Sequence, residues 1–126
     1  MTTNTESAGY FPDPAVAYAN APSIIQEIGW ITATVANRRN GGEIGREFWL
    51  RKAAVVDRIA LQEVATYAPE VAITAVQTAE ATVLKFIEYE VAHSGLSLKG
   101  AELITAEDRF GYVREQYHVW SHTQLH

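Results

Sequence analysis

Residues 43–94 read EIGREFWLRKAAVVDRIALQEVATYAPEVAITAVQTAEATVLKFIEYEVAHS, two apolar stripes of helical period that meet at Ala68 and Pro69. In the first, Trp49, Ala53, Val56, Ala60, Val64 and Tyr67 recur every three or four residues, widened by Phe48 and Ile59, with Glu47, Arg51, Arg58 and Gln62 opposite. Such spacing places side chains on one side of an α-helix. The second stripe is Ala72, Val76, Ala79, Val83, Phe86 and Ile87. Proline suits the first turn of a helix, where its missing N–H would be unpaired anyway, and it pushes the residue before it out of the helical region. The stretch is therefore expected to form two antiparallel helices, about Glu43–Tyr67 and Pro69–Ser94, with Gly95 as the C-cap. One kinked rod of about 52 residues, roughly 78 Å long, is the less ordinary alternative.

Working outward, a third helix is expected from about Ser23 to Arg39. Ile24, Ile28, Ile31 and Val35 line one side of it, with Ile25 and Thr32 along the edge of that stripe. Asn40, Gly41 and Gly42 end it in a connection short enough to reverse the chain. Asp13 before Pro14 opens a short helix that Pro22 stops. Upstream of it the composition is polar and aperiodic, so residues 1–12 read as a tail, tied down by Tyr10 and Phe11 where it is ordered. On the other side, residues 96–104 form a loop. Thr105 with Asp108 three residues on is a capping signal for a last helix with Phe110, Val113, Tyr117 and Trp120 inward. No strand pattern competes. The expectation is an all-α, antiparallel up-and-down four-helix bundle with a short N-terminal helix and an extended N-terminal tail, residues 13–126 forming one domain.

The bulk properties narrow the function classes. A chain of 126 residues can bury a core without a metal or disulfide, and the absence of cysteine removes thiol chemistry and a disulfide-rich scaffold. No apolar run is long enough to span a membrane and no signal segment is written at the N-terminus, which points to the cytoplasm. The net charge of −5 disfavours nucleic acid. Six basic residues do fall between Arg38 and Arg58, but Glu43, Glu47 and Asp57 halve that local excess.

Charged residues interrupt both stripes. Lys52 and Glu63 lie near the apolar centre of one helix, and Glu80 and Glu90 near that of the next. Counting outward from Pro69 puts Glu80 level with Asp57, with Lys52 within about 7 Å along the axis of Glu80 or Glu90. A partly buried Asp57, Glu80, Glu90 and Lys52 cluster could do general acid or base work, since two carboxylates held close raise one pKa. The plainer alternative is long side chains reaching water, or a buried ion pair that fixes helix register.

Two further groups stand out. His118, His122 and His126 recur every four residues, a half-site for a divalent transition metal. Together with Glu115, with the Glu90 and His93 pair and with Glu27 and Glu63, the inventory resembles that of a di-iron carboxylate bundle. The ladder, however, falls on the side of its helix opposite Phe110, Tyr117 and Trp120. Trp30 points away from the Ile24–Val35 stripe, so it is either covered by the N-terminal segment around Tyr10, Phe11 and Tyr18 or, with Tyr10 and Phe11, a candidate partner-binding residue. No phosphate-cradling glycine loop follows a strand, and nothing orders a nucleophilic triad.

The sequence thus reads as a non-catalytic helical interaction or scaffolding module that binds a protein partner or itself. The alternatives are a small bundle enzyme or ligand carrier built on the interior Asp/Glu/Lys cluster, and a metal-binding protein using the last helix.

Overall fold

Pro69 closes a hairpin. In the computed structural model, which describes residues 11–38, 44–93, 103 and 105–124, the preceding helix ends at Thr66 and Tyr67 turns extended, its N–H still donating to the Glu63 carbonyl at 2.8 Å. The Val71 and Ala72 N–H groups then both donate to the Ala68 carbonyl, at 2.9 and 3.0 Å. Proline at the first helical position loses nothing there, and its ring forbids the rod from running through.

The described residues form five helices: α1 (Pro14–Ala17), α2 (Ile24–Arg38), α3 (Arg46–Thr66), α4 (Pro69–His93) and α5 (Ala106–Gln124). They pack as an all-α bundle, with no strand among the described residues. Helices α3 and α4 are antiparallel partners, since Arg46 at the start of one reaches Glu90 near the end of the other. Alanines at 53, 54 and 60 on α3 and at 72 and 79 on α4 are buried, which lets the two backbones approach closely. The core adds Leu50, Val83, Phe86 and Ile87 from this pair, Leu103, and Tyr112, Val113 and Tyr117 from α5. Each large apolar side chain fully buried this way stabilises the fold by about 1.5–3 kcal/mol.

Local signals position the other helices. Ser23 Oγ accepts the Gln26 N–H at 3.1 Å while Gln26 Oε1 accepts the Ser23 N–H at 3.2 Å, a reciprocal capping box at the start of α2. Thr105 Oγ1 accepts the Asp108 N–H at 3.1 Å at the start of α5. Asp13 does not cap α1 through its side chain; its carbonyl instead accepts the Ala17 N–H at 2.8 Å. Phe11 packs on the core, its ring pressed onto Gly111. A Cβ at Gly111 would lie 2.6 Å from Phe11 Cγ, so only glycine admits that ring without a shift.

Helix α2 departs from its apolar pattern. The one buried residue on it is Glu27, while Ile25, Ile28 and Val35 are 81, 44 and 45 % exposed. Periodicity reveals a stripe but not the direction it faces, and here an acid with a buried arginine partner decides the direction. The expected caps at Asn40, Gly41 and Gly42, the end at Ser94 and Gly95, and most of the 96–104 loop lie outside the described residues.

Candidate functional site

Three carboxylates are buried among the described residues, Glu27, Asp57 and Glu90, each 1–2 % exposed. Each accepts from one guanidinium and one phenol. Glu90 on α4 takes Arg46 Nε at 2.8 Å and Nη2 at 2.9 Å, both from α3, and the Tyr112 hydroxyl of α5 at 2.8 Å. Asp57 on α3 takes Arg114 Nε and Nη2 of α5 at 2.8 and 2.9 Å, and the Tyr18 hydroxyl, just past α1, at 2.6 Å. Glu27 on α2 takes Arg51 of α3 through Nε at 3.0 Å and through Nη2, and the Tyr117 hydroxyl of α5 at 3.1 Å.

The three clusters share one plan. Helices α3 and α5 contribute to every one, and the third member ties on α4, the α1 end or α2 in turn. Fork-shaped guanidinium groups meet carboxylates through two parallel N–H donors, so each cluster fixes the register and rotation of three chain segments at once. Burial pushes the Tyr18 hydroxyl well above its ordinary pKa, with the Asp57 charge and hydrogen bond adding to it. Tyr112 and Tyr117 are raised by the same causes, burial first and then Glu90 and Glu27 respectively. The Glu90 hydrogen bonds hold Arg46 more firmly protonated, while for Arg51 and Arg114 burial opposes and the carboxylate bonds outweigh it.

Aromatic rings flank the three guanidinium groups, of which Arg51 and Arg114 are mostly buried while Arg46 is 38 % exposed. The Arg51 guanidinium lies 3.8 Å from the Trp30 ring centroid and 5.0 Å from that of Trp120, and its Nη1 also donates to Glu47 at 2.7 Å. Arg114 lies 5.6 Å from the Phe110 ring, and Arg46 5.6 Å from Phe86. Arg46 Nη2 further donates to Gln116 at 2.8 Å. A guanidinium over a ring face is attracted by its quadrupole, the more so as water is removed.

The sequence candidates are dispersed by this geometry. Asp57 and Glu90 are interior, but they belong to different clusters, and Glu80 is exposed. Lys52 is half-buried, its ammonium 5.7 Å from the Phe48 ring and 5.8 Å from the Trp49 ring. Trp30 is not a free aromatic: it is half-buried under Arg51, and Phe11 is spent on the core contact at Gly111. Tyr10 lies outside the described residues.

The histidine ladder is held by its own helix. His122 Nδ1 donates to the His118 carbonyl at 3.0 Å, with the two rings 4.3 Å apart, edge to face. His93 Nδ1 donates to the Tyr89 carbonyl at 3.0 Å and stacks on the Tyr89 ring. Among the described residues no group of three or more His, Asp or Glu side chains is arranged to hold a metal ion; His126 lies outside them.

Sequence reasoning missed Glu27 as an ion-pair centre and Arg46, Arg51 and Arg114 as its kind of partner. No local signal marked them: the tyrosines lie on α5 or just after α1, the arginines on α3 and α5, and the acids on α2, α3 and α4, so every cluster joins residues far apart in the chain.

A second surface is apolar and open. At the α3–α4 turn, Val64, Tyr67, Pro69, Ala72, Ile73 and Val76 line a half-open depression of about 200 Å³. Val64, Tyr67, Val71 and Ile73 around it are exposed. The outward side of α2 is the other such region. No helix among the described residues is long and apolar enough to cross a membrane. Comparison with protein-family models, with curated proteins and with solved structures finds no match to this chain.

Proposed function

We propose that this protein is a non-catalytic helical interaction module that associates with itself, acting in the cytoplasm. The observation that carries this reading is the rotated helix α2, which buries an acid, leaves Ile24 and Ile31 half-buried and turns Ile25, Ile28 and Val35 towards solvent. Leaving three aliphatic side chains on one helix face in water forgoes the transfer free energy their burial would supply, about 1.5–3 kcal/mol each when complete. A contiguous apolar face of this kind marks an interaction surface more often than a lone exposed aliphatic does.

The interior supports the non-catalytic half of the proposal. A carboxylate that already accepts two guanidinium N–H groups and a phenol O–H has three of its roughly four acceptor positions engaged, and the Arg51 and Arg114 guanidinium groups are mostly buried in their pairs. These clusters are better suited to holding helices in register than to moving a substrate proton. Light scattering across roughly 10 μM to 1 mM, the range in which weak association becomes visible, tests the reading. The mass should climb from the 13.9 kDa monomer with concentration. A constant monomer mass contradicts it.

One observation favours a second reading, a carrier of small apolar ligands. The depression at the α3–α4 turn is lined by aliphatic side chains, proline and Tyr67. Saturable enhancement of an environment-sensitive apolar dye, lost in Ile73→Glu, would support it; linear, unsaturated fluorescence would not.

A further inference from the structure

We infer that the outward face of α2 is a two-fold seam between two copies of this chain, with the α2 helices antiparallel. This deepens the self-association reading and rests on it. Four residues of the exposed face, Ile25, Ile28, Thr32 and Val35, follow one another at spacings of three, four and three. That is the alternation by which two helices interlock side chains along a coiled-coil seam. All four are exposed, so none is used by the chain's own bundle.

Pairing the helices antiparallel sets Ile25 against the partner's Val35 and Ile28 against the partner's Thr32. The two-fold axis repeats both contacts, so every seam residue finds an apolar counterpart of fitting size. Antiparallel alignment also pairs the helix dipoles favourably. Thr32 does not spoil the seam, because its hydroxyl donates to the Ile28 carbonyl at 2.9 Å and leaves its methyl group to pack.

Charge selects the occupant. From Ile24 to Asn37 the only charged residue is Glu27, and it is buried. The face therefore offers nothing to an acidic or basic peptide, whereas a copy of itself matches it without leaving a charge unpaired.

Gly29 is the independent observation. Glycine inside a helix is unfavourable, and a Cβ there would meet nothing within 4 Å in this chain. The fold does not need the missing side chain; a second backbone would. Gly29 and Ala36 flank the seam on the side away from the bundle, where small residues let two helices close in. On the other flank Ile24 and Ile31 are half-buried against the chain itself.

The area sets the strength. A 15-residue helix is about 22 Å long and offers a strip roughly 10 Å wide, well below the ~800 Å² per partner of a stable complex. The dimer is accordingly weak and concentration-dependent, although α2 is already ordered by Glu27 and Trp30, which lowers the entropy cost of pairing.

Sedimentation equilibrium of the whole chain and of Ile28→Glu tests the seam. Wild type should approach twice the monomer mass at high concentration. Ile28→Glu, with unchanged helical circular dichroism, should raise the dissociation constant at least about tenfold, because a buried carboxylate would face the partner's Thr32. A wild-type dimer that persists unchanged in Ile28→Glu overturns the seam and leaves self-association standing. A wild type that is monomeric throughout overturns both, and slow thiol labelling of monomeric Ile28→Cys would then identify another part of the chain as the cover. Orientation is read by disulfides, clean because the chain has no cysteine. Mixed Ile25→Cys and Val35→Cys proteins should give mainly the heterodisulfide, and homodisulfides alone would overturn the antiparallel arrangement.

Discussion

Tyr18 and Tyr117 meet edge to face with ring centroids 5.3 Å apart, while their hydroxyls part company, one going to Asp57 and the other to Glu27. A single aromatic contact thus joins two of the three buried charged clusters. It couples the segment after α1 to α2 through α5, and leaves both phenols as donors to carboxylates in a site closed to water. The bond to Asp57 is the shorter, 2.6 Å against 3.1 Å for that to Glu27.

The phenols make stability sensitive to alkali. Tyr18, Tyr112 and Tyr117 all have folded-state pKa values raised above the usual 10. Below about pH 10 both the folded and unfolded chains hold these protons, and the contribution is fully present. Above it the unfolded chain releases them and the folded chain does not, so stability falls as pH rises. Each tyrosine adds up to about 1.4 kcal/mol per pH unit to that slope. Urea unfolding at several pH values from about 9 to 11.5 should show the decline, and Tyr18→Phe should make it shallower. A flat stability through this window would show that these phenols titrate alike in both states.

Asp57 and Arg114 should behave as a unit. Removing one partner strands the other charge, so Arg114→Met is expected to cost about 3–5 kcal/mol, and Asp57→Leu a similar amount. The double replacement should recover part of the loss, because an apolar pair avoids desolvating either charge but leaves the Tyr18 hydroxyl without its acceptor. Chemical denaturation of the four proteins gives the coupling directly; additive losses would mean that the two side chains contribute separately.

The two glycines inside helices among the described residues, Gly29 and Gly111, should respond in opposite ways. Gly111→Ala drives a methyl into the Phe11 ring and should destabilise by about 1–3 kcal/mol. Gly29→Ala meets open space within the chain and should stabilise the monomer by about 0.5–1 kcal/mol through helix propensity. Denaturation midpoints of dilute protein decide this. Losses of equal size at both sites would place Gly29 against an unrecognised part of the chain.

Much of the fold was legible because its signals are local. Pro69 announces a turn by its own covalent geometry, Ser23 and Thr105 cap helices through groups three residues away, and the α4 stripe of Ala72, Ala79, Val83, Phe86 and Ile87 is buried as its period implies. Of the acids that interrupt the stripes Glu90 is interior, and so is Asp57, which entered the expected cluster only through its axial level with Glu80. Their partners could not be read in the same way. Arg114 lies 57 residues from Asp57, and Arg46 lies 44 from Glu90. An arginine reaches across several ångströms, so a position on the wet flank of a helical wheel does not keep its guanidinium in water. Lys52 and Glu80 were matched by axial level alone, which ignores rotation about the helix, and the structure turns Glu80 to solvent. Helix α2 shows the same limit: amphipathic spacing names two faces, and the burial of Glu27 chose between them.

That choice is the account's central claim, and comparing Glu27→Ala with Ile28→Ala tests it most directly. Unfolding free energies are measured at low micromolar concentration, where self-association does not contribute. Glu27→Ala should cost about 2–4 kcal/mol, since it leaves the Arg51 guanidinium with only the exposed Glu47 as a partner and removes the Tyr117 acceptor, whereas Ile28→Ala should cost less than about 1 kcal/mol. The reverse order, a heavy loss for the isoleucine and a slight one for the acid, would mean that α2 packs with Ile28 inward, and both the rotated helix and the seam built on it would be wrong.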